Sequence, residues 1–269
     1  MPGKDSLDAL LTAVAASPKY HSVCPDLVRR IGAREWAPRA ELKQAIKATK
    51  NKLHQVGAAY FPGAAAYARW EAELSQTLQS ADPGSLRRVC AGIMGQHAST
   101  RERLPLLDTL FAIVLRDIAP LRSVLDVACG FNPLAIPWMP LAEGATYYAW
   151  DIYSDLMRFL QSFMDRIGVR GVAEARDVLA VESTPPVQVA YLLKAIPCLE
   201  QIEKEAGLRL LDAIQAEHLL VSFPVYSLGG RDKRMMVTYD GHFRELVSGK
   251  GWTVQRFVYD TELLFLVSK

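Results

Sequence analysis

Through the first 118 residues the apolar positions recur at helical rather than strand spacing. Over 40–56, Leu42, Ile46 and Leu53 fall on one face with Thr49 between them. Lys43, Lys47 and Lys50 fall on an adjacent face at i, i+4 and i+7. Ala, Leu, Lys, Arg and Gln dominate this segment and β-branched runs are few, which favours helix. Breaks are expected at Pro25, Pro38, Pro62-Gly63 and Asp82-Pro83-Gly84, and a helix over 101–118 leads to Pro120. Beyond residue 120 the texture changes. Short apolar runs at 123–127, 147–150, 172–175, 187–193 and 218–223 predict strands, with helices over 154–167, 200–216 and 239–249. The β-rich runs 252–259 and 263–267, separated by Asp260-Thr261-Glu262, predict a hairpin. A helical domain over 1–118 is thus expected ahead of an α/β domain over 119–269, whose parallel doubly wound sheet ends in an antiparallel pair.

Composition narrows the class. Of 269 residues, 50% are hydrophobic and 22% charged, enough apolar material for a core and too ordinary for a disordered or fibrous chain. No apolar run reaches the roughly 18–20 residues that span a bilayer, and residues 1–6 lack the pattern of a signal peptide. A cytoplasmic protein without membrane contact is expected. The four cysteines form no CxxC pair and the five histidines no HxxxH or HExxH pair, so no metal site is expected. The net charge is only +2, yet residues 19–52 hold nine Lys/Arg against three acids. That asymmetry points to a polyanionic partner, nucleic acid first, with Arg29, Arg30, Lys43, Lys47 and Lys50 as candidate contacts. A solvated surface face would normally intersperse acids, and the lysine stripe does not.

The candidate chemistry sits at the ends of the predicted strands. Leu125-Asp126-Val127-Ala128-Cys129-Gly130 closes the first strand with an acid and a small-residue turn, where open α/β sheets bind cofactors. It lacks the glycines that cradle a pyrophosphate. S-adenosylmethionine, which has no phosphate, suits such a turn. Asp151, ending the second strand, can accept hydrogen bonds from both ribose hydroxyls. Asp177 and the backbone N–H of Val178, after the third, can address an adenine edge. An Asp in such a place often serves only as a helix cap, but three in register point to a nucleoside-type cofactor. Pro197-Cys198 follows the fourth strand, where enzymes methylating carbon 5 of cytosine keep a thiolate nucleophile. It comes three residues after Lys194, late for that role, and Cys198 reads as packing. The order of five β/α units and a hairpin resembles the class I (Rossmann-like) methyltransferase fold.

The chain as a whole resembles the aminoglycoside-resistance 16S rRNA (guanine-N7)-methyltransferases. Matching segments include Ser17-Pro18-Lys19-Tyr20, Cys24-Pro25-Asp26-Leu27-Val28-Arg29-Arg30, Lys52 to Tyr60, His97 to Arg103, Leu125 to Ala135, Leu193-Lys194, Ser222-Phe223-Pro224 and Ser227-Leu228-Gly229-Gly230-Arg231. Two departures stand out: Arg234 where relatives carry glycine, and Tyr153 where several carry a polar residue or histidine. The resemblance implies methyl transfer from S-adenosylmethionine, without a metal, to N7 of guanine 1405 (standard small-subunit rRNA numbering) in the 30S subunit. It implies cofactor contacts at Tyr60, His97, Ala98, Ser99, Arg103, Gly130, Asp151, Asp177, Val178, Leu193 and Gln201, with Arg103 on the methionine carboxylate. Because N7 needs no deprotonation, no acid/base dyad is expected. Lys194, Arg231 and Lys233 are expected to hold phosphates or the base, and Phe131 and Phe223 are candidates to stack on it. A monomer would suit docking on a subunit. Alternatives within the fold are action on another rRNA base or a small molecule, or a non-catalytic RNA-binding relative. The lysine stripe argues against a small molecule, and Gly130, Asp151 and Asp177 argue against lost catalysis.

Overall fold

In the computed structural model, residues 4–39, 41–57, 66–79, 82, 84–227, 230–231 and 233–269 are described. The chain begins with helices α1 (Lys4–Ala15), α2 (Pro25–Trp36), α3 (Leu42–Val56), α4 (Tyr67–Leu78), α5 (Ser85–Met94), α6 (Ala98–Arg103) and α7 (Leu107–Val114). Strands β1 (Leu121–Val127), β2 (Leu141–Asp151), β3 (Arg170–Ala175), β4 (Val187–Leu193) and β5 (Ala216–Pro224) follow. Between them lie α8 (Ser154–Arg166), α9 (Ala195–Glu200) and α10 (Ala206–Ala213). A short ribbon, β6 (Tyr226–Ser227) and β7 (Gly230–Arg231), then α11 (Lys233–Leu246), β8 (Thr253–Val258) and β9 (Glu262–Ser268) complete it.

The strands other than the ribbon form one sheet in the order β3-β2-β1-β4-β5-β9-β8. The first five are parallel, and β9 enters antiparallel beside β5 with Val221 opposite Phe265. The β4 strand is buried along its length, as a central parallel strand must be when helices cover both faces. Its alternation divides the interior. Val189, Tyr191 and Leu193 enter the core shared with the N-terminal helices and α8, while Ala190 and Leu192 enter the core under α9, α10 and α11.

Secondary structure changes character between Val114 and Leu121, but the apolar residues of α1–α5 and one face of the sheet share a single core. Main-chain bonds reinforce that junction. The Cys24 N–H donates to the Ile152 carbonyl at 2.7 Å and the Ser154 N–H to the Ser22 carbonyl at 2.7 Å. The segment before α2 is therefore tied to the loop that leaves β2, directly beyond Asp151.

Several expected boundaries shift. The expected helix over 101–118 is broken by a 3-10 turn at Leu104–Leu106, where Pro105 cannot donate to a regular helix. The expected helix over 200–216 is two helices, α9 and α10, separated by a turn whose Ile202 is buried. In α3 the fully buried line is Ala45, Thr49 and Leu53, and Leu42 and Ile46 flank it half-buried. Thr49 is accommodated because its hydroxyl donates to the Ala45 carbonyl at 2.8 Å. Strand β2 begins six residues before the expected 147, through an exposed stretch around Glu143 and Gly144 that carries no apolar alternation.

Candidate cofactor site and nucleic-acid face

A cleft opens at the carboxyl ends of β1, β2 and β4, where open α/β sheets bind their ligands. Its walls include Gly130, Asp151, Asp177, Val178, Leu193, Lys194, His97 and Ser99, all expected from the sequence. Leu27 from α2 and Val56 and Gly57 from the end of α3 complete it, so the N-terminal helices supply part of the wall.

The turn after β1 is shaped by backbone geometry. Gly130 has φ +51°, and a β-carbon there would stand 2.9 Å from the His97 ring. Only glycine satisfies both the left-handed conformation and that contact. The Gly130 N–H donates to Asp151 Oδ2 at 2.9 Å, and the Ile152 N–H donates to Oδ1 at 2.7 Å. Two fixed donors thus hold the carboxylate at the cleft wall with lone pairs left for a diol. Burial pushes the Asp151 carboxyl up from its ordinary value, and the N–H groups of Gly130, Ile152 and Tyr153 oppose that shift. Asp177 caps the turn that follows it, accepting from the Leu179 N–H at 3.0 Å. His97 is held neutral: burial, then the neighbouring charges of Arg103, Lys194 and Arg101, bring it down to about 3.

Behind the wall lies an ionic network centred on the buried Arg103 and Glu262. Arg103 Nε donates to Glu262 Oε2 at 2.9 Å, its Nη2 donates to Glu262 Oε1, and its Nη1 donates to Asn132 Oδ1 at 2.9 Å. Asn132 and the Tyr147 hydroxyl both donate to Asp126 Oδ2, at 2.8 and 2.7 Å. Burial pushes the Asp126 carboxyl up to about 6. Lys194, in a left-handed conformation at φ +59°, sends Nζ to Glu102 at 2.6 Å and to Glu262 at 3.5 Å.

The other expected site residues are placed differently. Arg103 is only 1% exposed and stands behind the cleft, paired with Glu262. The Ala98 side chain is buried off the wall, and Gln201 lies in the exposed turn after α9. Phe131 packs among Trp70, Phe159 and His97, and Phe223 among Tyr239, Phe243 and Phe265. Both are fully buried, so neither presents a face to a flipped base. Lys194 is committed to two carboxylates rather than open to a phosphate. Cys198, read as packing, lines the cleft. Tyr60 lies outside the described residues, as do the side chains of Arg231 and Lys233.

The basic segment separates into two groups. Lys43 and Lys47 are exposed on α3 and Lys50 is half-buried beside them, with no ion-pair partner among the described residues. Arg29, also exposed, lies 3.6 Å from Asp8. Arg30 turns inward, to Asp177 and Glu203. Glu262 and Glu102 escaped the sequence reading because an acid in a hairpin turn or a surface helix looks solvated. Glu262 is in fact the first residue of β9 and fully buried. Among the described residues no group of His, Cys, Asp and Glu could hold a metal ion, and no helix is long and apolar enough to cross a membrane.

A sheet in this order, with a glycine turn after β1, an acid ending β2 and an antiparallel β9 inserted beside β5, defines a class I S-adenosylmethionine-dependent methyltransferase. The model of the ribosomal RNA methyltransferase (FmrO) family matches residues 16–267, and the chain belongs to that family. It is 34% identical to the 16S rRNA (guanine(1405)-N(7))-methyltransferase of Micromonospora rosea over 99% of this chain and 98% of the relative. It is 35% identical to the protein of that name from Frankia casuarinae, over 99% of this chain and 95% of the relative. The crystal structure of 16S rRNA methyltransferase RmtF in complex with S-adenosyl-L-homocysteine superposes with a TM-score of 0.86 at 29% identity, covering 100% of both chains. That of the 16S rRNA methylase RmtB superposes at 0.82 with 28% identity, covering 98% of each.

Proposed function

We propose that the protein transfers a methyl group from S-adenosylmethionine to N7 of guanine 1405 of 16S rRNA in the assembled 30S subunit, and so protects ribosomes from aminoglycosides. The observation that carries this reading is the end-to-end similarity to enzymes named for that reaction, on a chain whose cleft keeps Gly130, Asp151 and Asp177 together. A division of labour follows, with residues 1–118 docking the subunit and supplying part of the cofactor pocket, 97–103 included, and 119–269 holding most of the site. The protein acts as a monomer in the cytoplasm, where ribosomes are.

The cleft fits the cofactor chemically. Asp151 would accept from the ribose hydroxyls, Asp177 and the Val178 N–H would meet the adenine edge, and Leu27, Val178 and Ile202 supply apolar walls. The cofactor, when bound, supplies an electrophilic sulfonium methyl. Guanine N7 carries an in-plane lone pair and no proton, so the protein needs no general base, and its work is alignment and exclusion of water. Neutral His97 adds no positive charge to the cleft wall. Extruding the guanine costs a few kcal/mol, offset by contacts to the surrounding RNA. The methylated base carries positive charge, which repels a cationic drug.

Docking is expected to rest on the α3 stripe. The triple variant K43Q/K47Q/K50Q should raise the KM for 30S subunits by roughly an order of magnitude and flatten its salt dependence by about two log units per log unit of salt. S-adenosylmethionine affinity and kcat should not change. Initial rates of labelled methyl incorporation at several salt concentrations measure this, and an unchanged KM for 30S would remove the stripe from the interface.

A further inference from the structure

Three cations of the basic segment bond to groups at the edge of the cofactor cleft. Lys52 Nζ donates to the Gln201 carbonyl at 3.2 Å, and Arg34 Nη1 donates to the Ile202 carbonyl. Arg30 Nε donates to Asp177 Oδ2 at 2.6 Å, and its Nη1 lies 3.4 Å from Glu203. The turn they grip, 201–203, follows Leu199 and includes Ile202, both on the cleft wall. Arg30 itself does not line the cleft; its effect passes through Asp177, which does.

We propose that Arg30, on α2, is a positioning residue for the cofactor site: it fixes the Asp177 carboxylate that meets the adenine end of S-adenosylmethionine. The inference rests on the methyltransferase reading and deepens it. The Asp177 side chain is 3% exposed and Arg30 33%, so the pair is far from the freely hydrated ion pairs that contribute almost nothing. One Asp177 oxygen is held by the Leu179 N–H and the other by Arg30. With both oxygens anchored, the carboxylate cannot rotate, and the adjoining Val178 N–H is presented in one direction. Removing Arg30 frees one oxygen and loosens the contact between α2 and the turn carrying Ile202. The helix predicted from its charge to face RNA thereby also shapes the pocket for the methyl donor.

The test separates the two roles of a basic residue on α2. The Kd for S-adenosylhomocysteine is measured by calorimetry on the full chain, and KM values for S-adenosylmethionine and for 30S subunits by methyl incorporation. R30Q is expected to weaken the Kd and raise the KM for S-adenosylmethionine by roughly three- to tenfold, because it removes one of the two anchors on Asp177 and no direct contact to the cofactor. The KM for 30S and kcat should stay unchanged, and R30K should recover most of the loss. Where R30Q also lowers the melting temperature, a cycle with D177N decides: R30Q should add nothing to the loss in D177N. An unchanged Kd in R30Q, a raised KM for 30S instead, or a further loss in the double variant would each overturn the proposal. An unaltered protein that binds no S-adenosylhomocysteine would overturn the functional reading along with it.

Discussion

Replacing Asp151 by alanine is expected to weaken S-adenosylmethionine binding by about a hundredfold or more. A hydrogen bond to a charged group contributes about 1.5–3 kcal/mol, and the carboxylate is placed to accept two from one ribose. The Gly130 and Ile152 N–H groups hold its two oxygens, so asparagine fares little better: whichever way its amide turns, the NH₂ faces a backbone donor. Burial raises the Asp151 pKa above the ordinary 3.8, so the carboxylate begins to protonate at a higher pH than a solvated one. Affinity should therefore decline on acidification earlier than a free aspartate would predict. Calorimetric titration with S-adenosylmethionine and S-adenosylhomocysteine measures both effects. A D151A protein binding within threefold of the unaltered one would take the ribose contact away from this residue.

Replacing Glu262 by alanine is expected to cost about 3–5 kcal/mol of folding stability, because it leaves Arg103 charged, buried and without its carboxylate. Domains are stable by only about 5–15 kcal/mol, so E262A should sit close to unfolding at ordinary temperatures. Arg103 and Glu262 are 1% and 0% exposed, and Lys194 shares the same carboxylate. Burial alone would raise the Glu262 pKa, but the charges of Arg103 and Lys194 and the hydrogen bonds from Arg103 and Ser222 outweigh it, leaving the value depressed. A depressed carboxylate contributes stability that is present above the unfolded value near 4.5 and is lost as pH falls through the folded one. Denaturant melts should show a lower midpoint at unchanged slope for E262A, and a smaller acid-dependent loss than in the unaltered protein. A change under about 1 kcal/mol would contradict the buried network.

Strand β4 was legible to the residue, because an apolar run broken only by Gln188 and bounded by Pro186 and Lys194 reads as a buried strand in an α/β chain. Gly130, Asp151 and Asp177 were legible because each closes a β/α unit, and the fold brings such ends together. Other features were hidden for physical reasons. A charge count does not record direction, so Arg30 and Lys47 looked alike, although one meets Asp177 and the other water. Phe131 and Phe223 neighbour the site in sequence, but their rings point into aromatic clusters on opposite faces of the sheet. Glu262 pairs across 159 residues with Arg103, a contact set by the insertion of β9 beside β5 that no local pattern announces. The turn after α9 is fixed by Lys52 and Arg34 from outside, which is why periodicity ran one helix through it.

Methylation at N7 of a single guanine is read directly by one mapping experiment. The protein is incubated with unmethylated 30S subunits and S-adenosylmethionine, the RNA is treated with borohydride and aniline to cleave at N7-methylguanine, and the break is located by primer extension. A single new stop at guanine 1405, absent without S-adenosylmethionine and absent with D151A, is the expected result. Methyl incorporation with no cleavage at that guanine would contradict the account and assign the chain to another base or another atom.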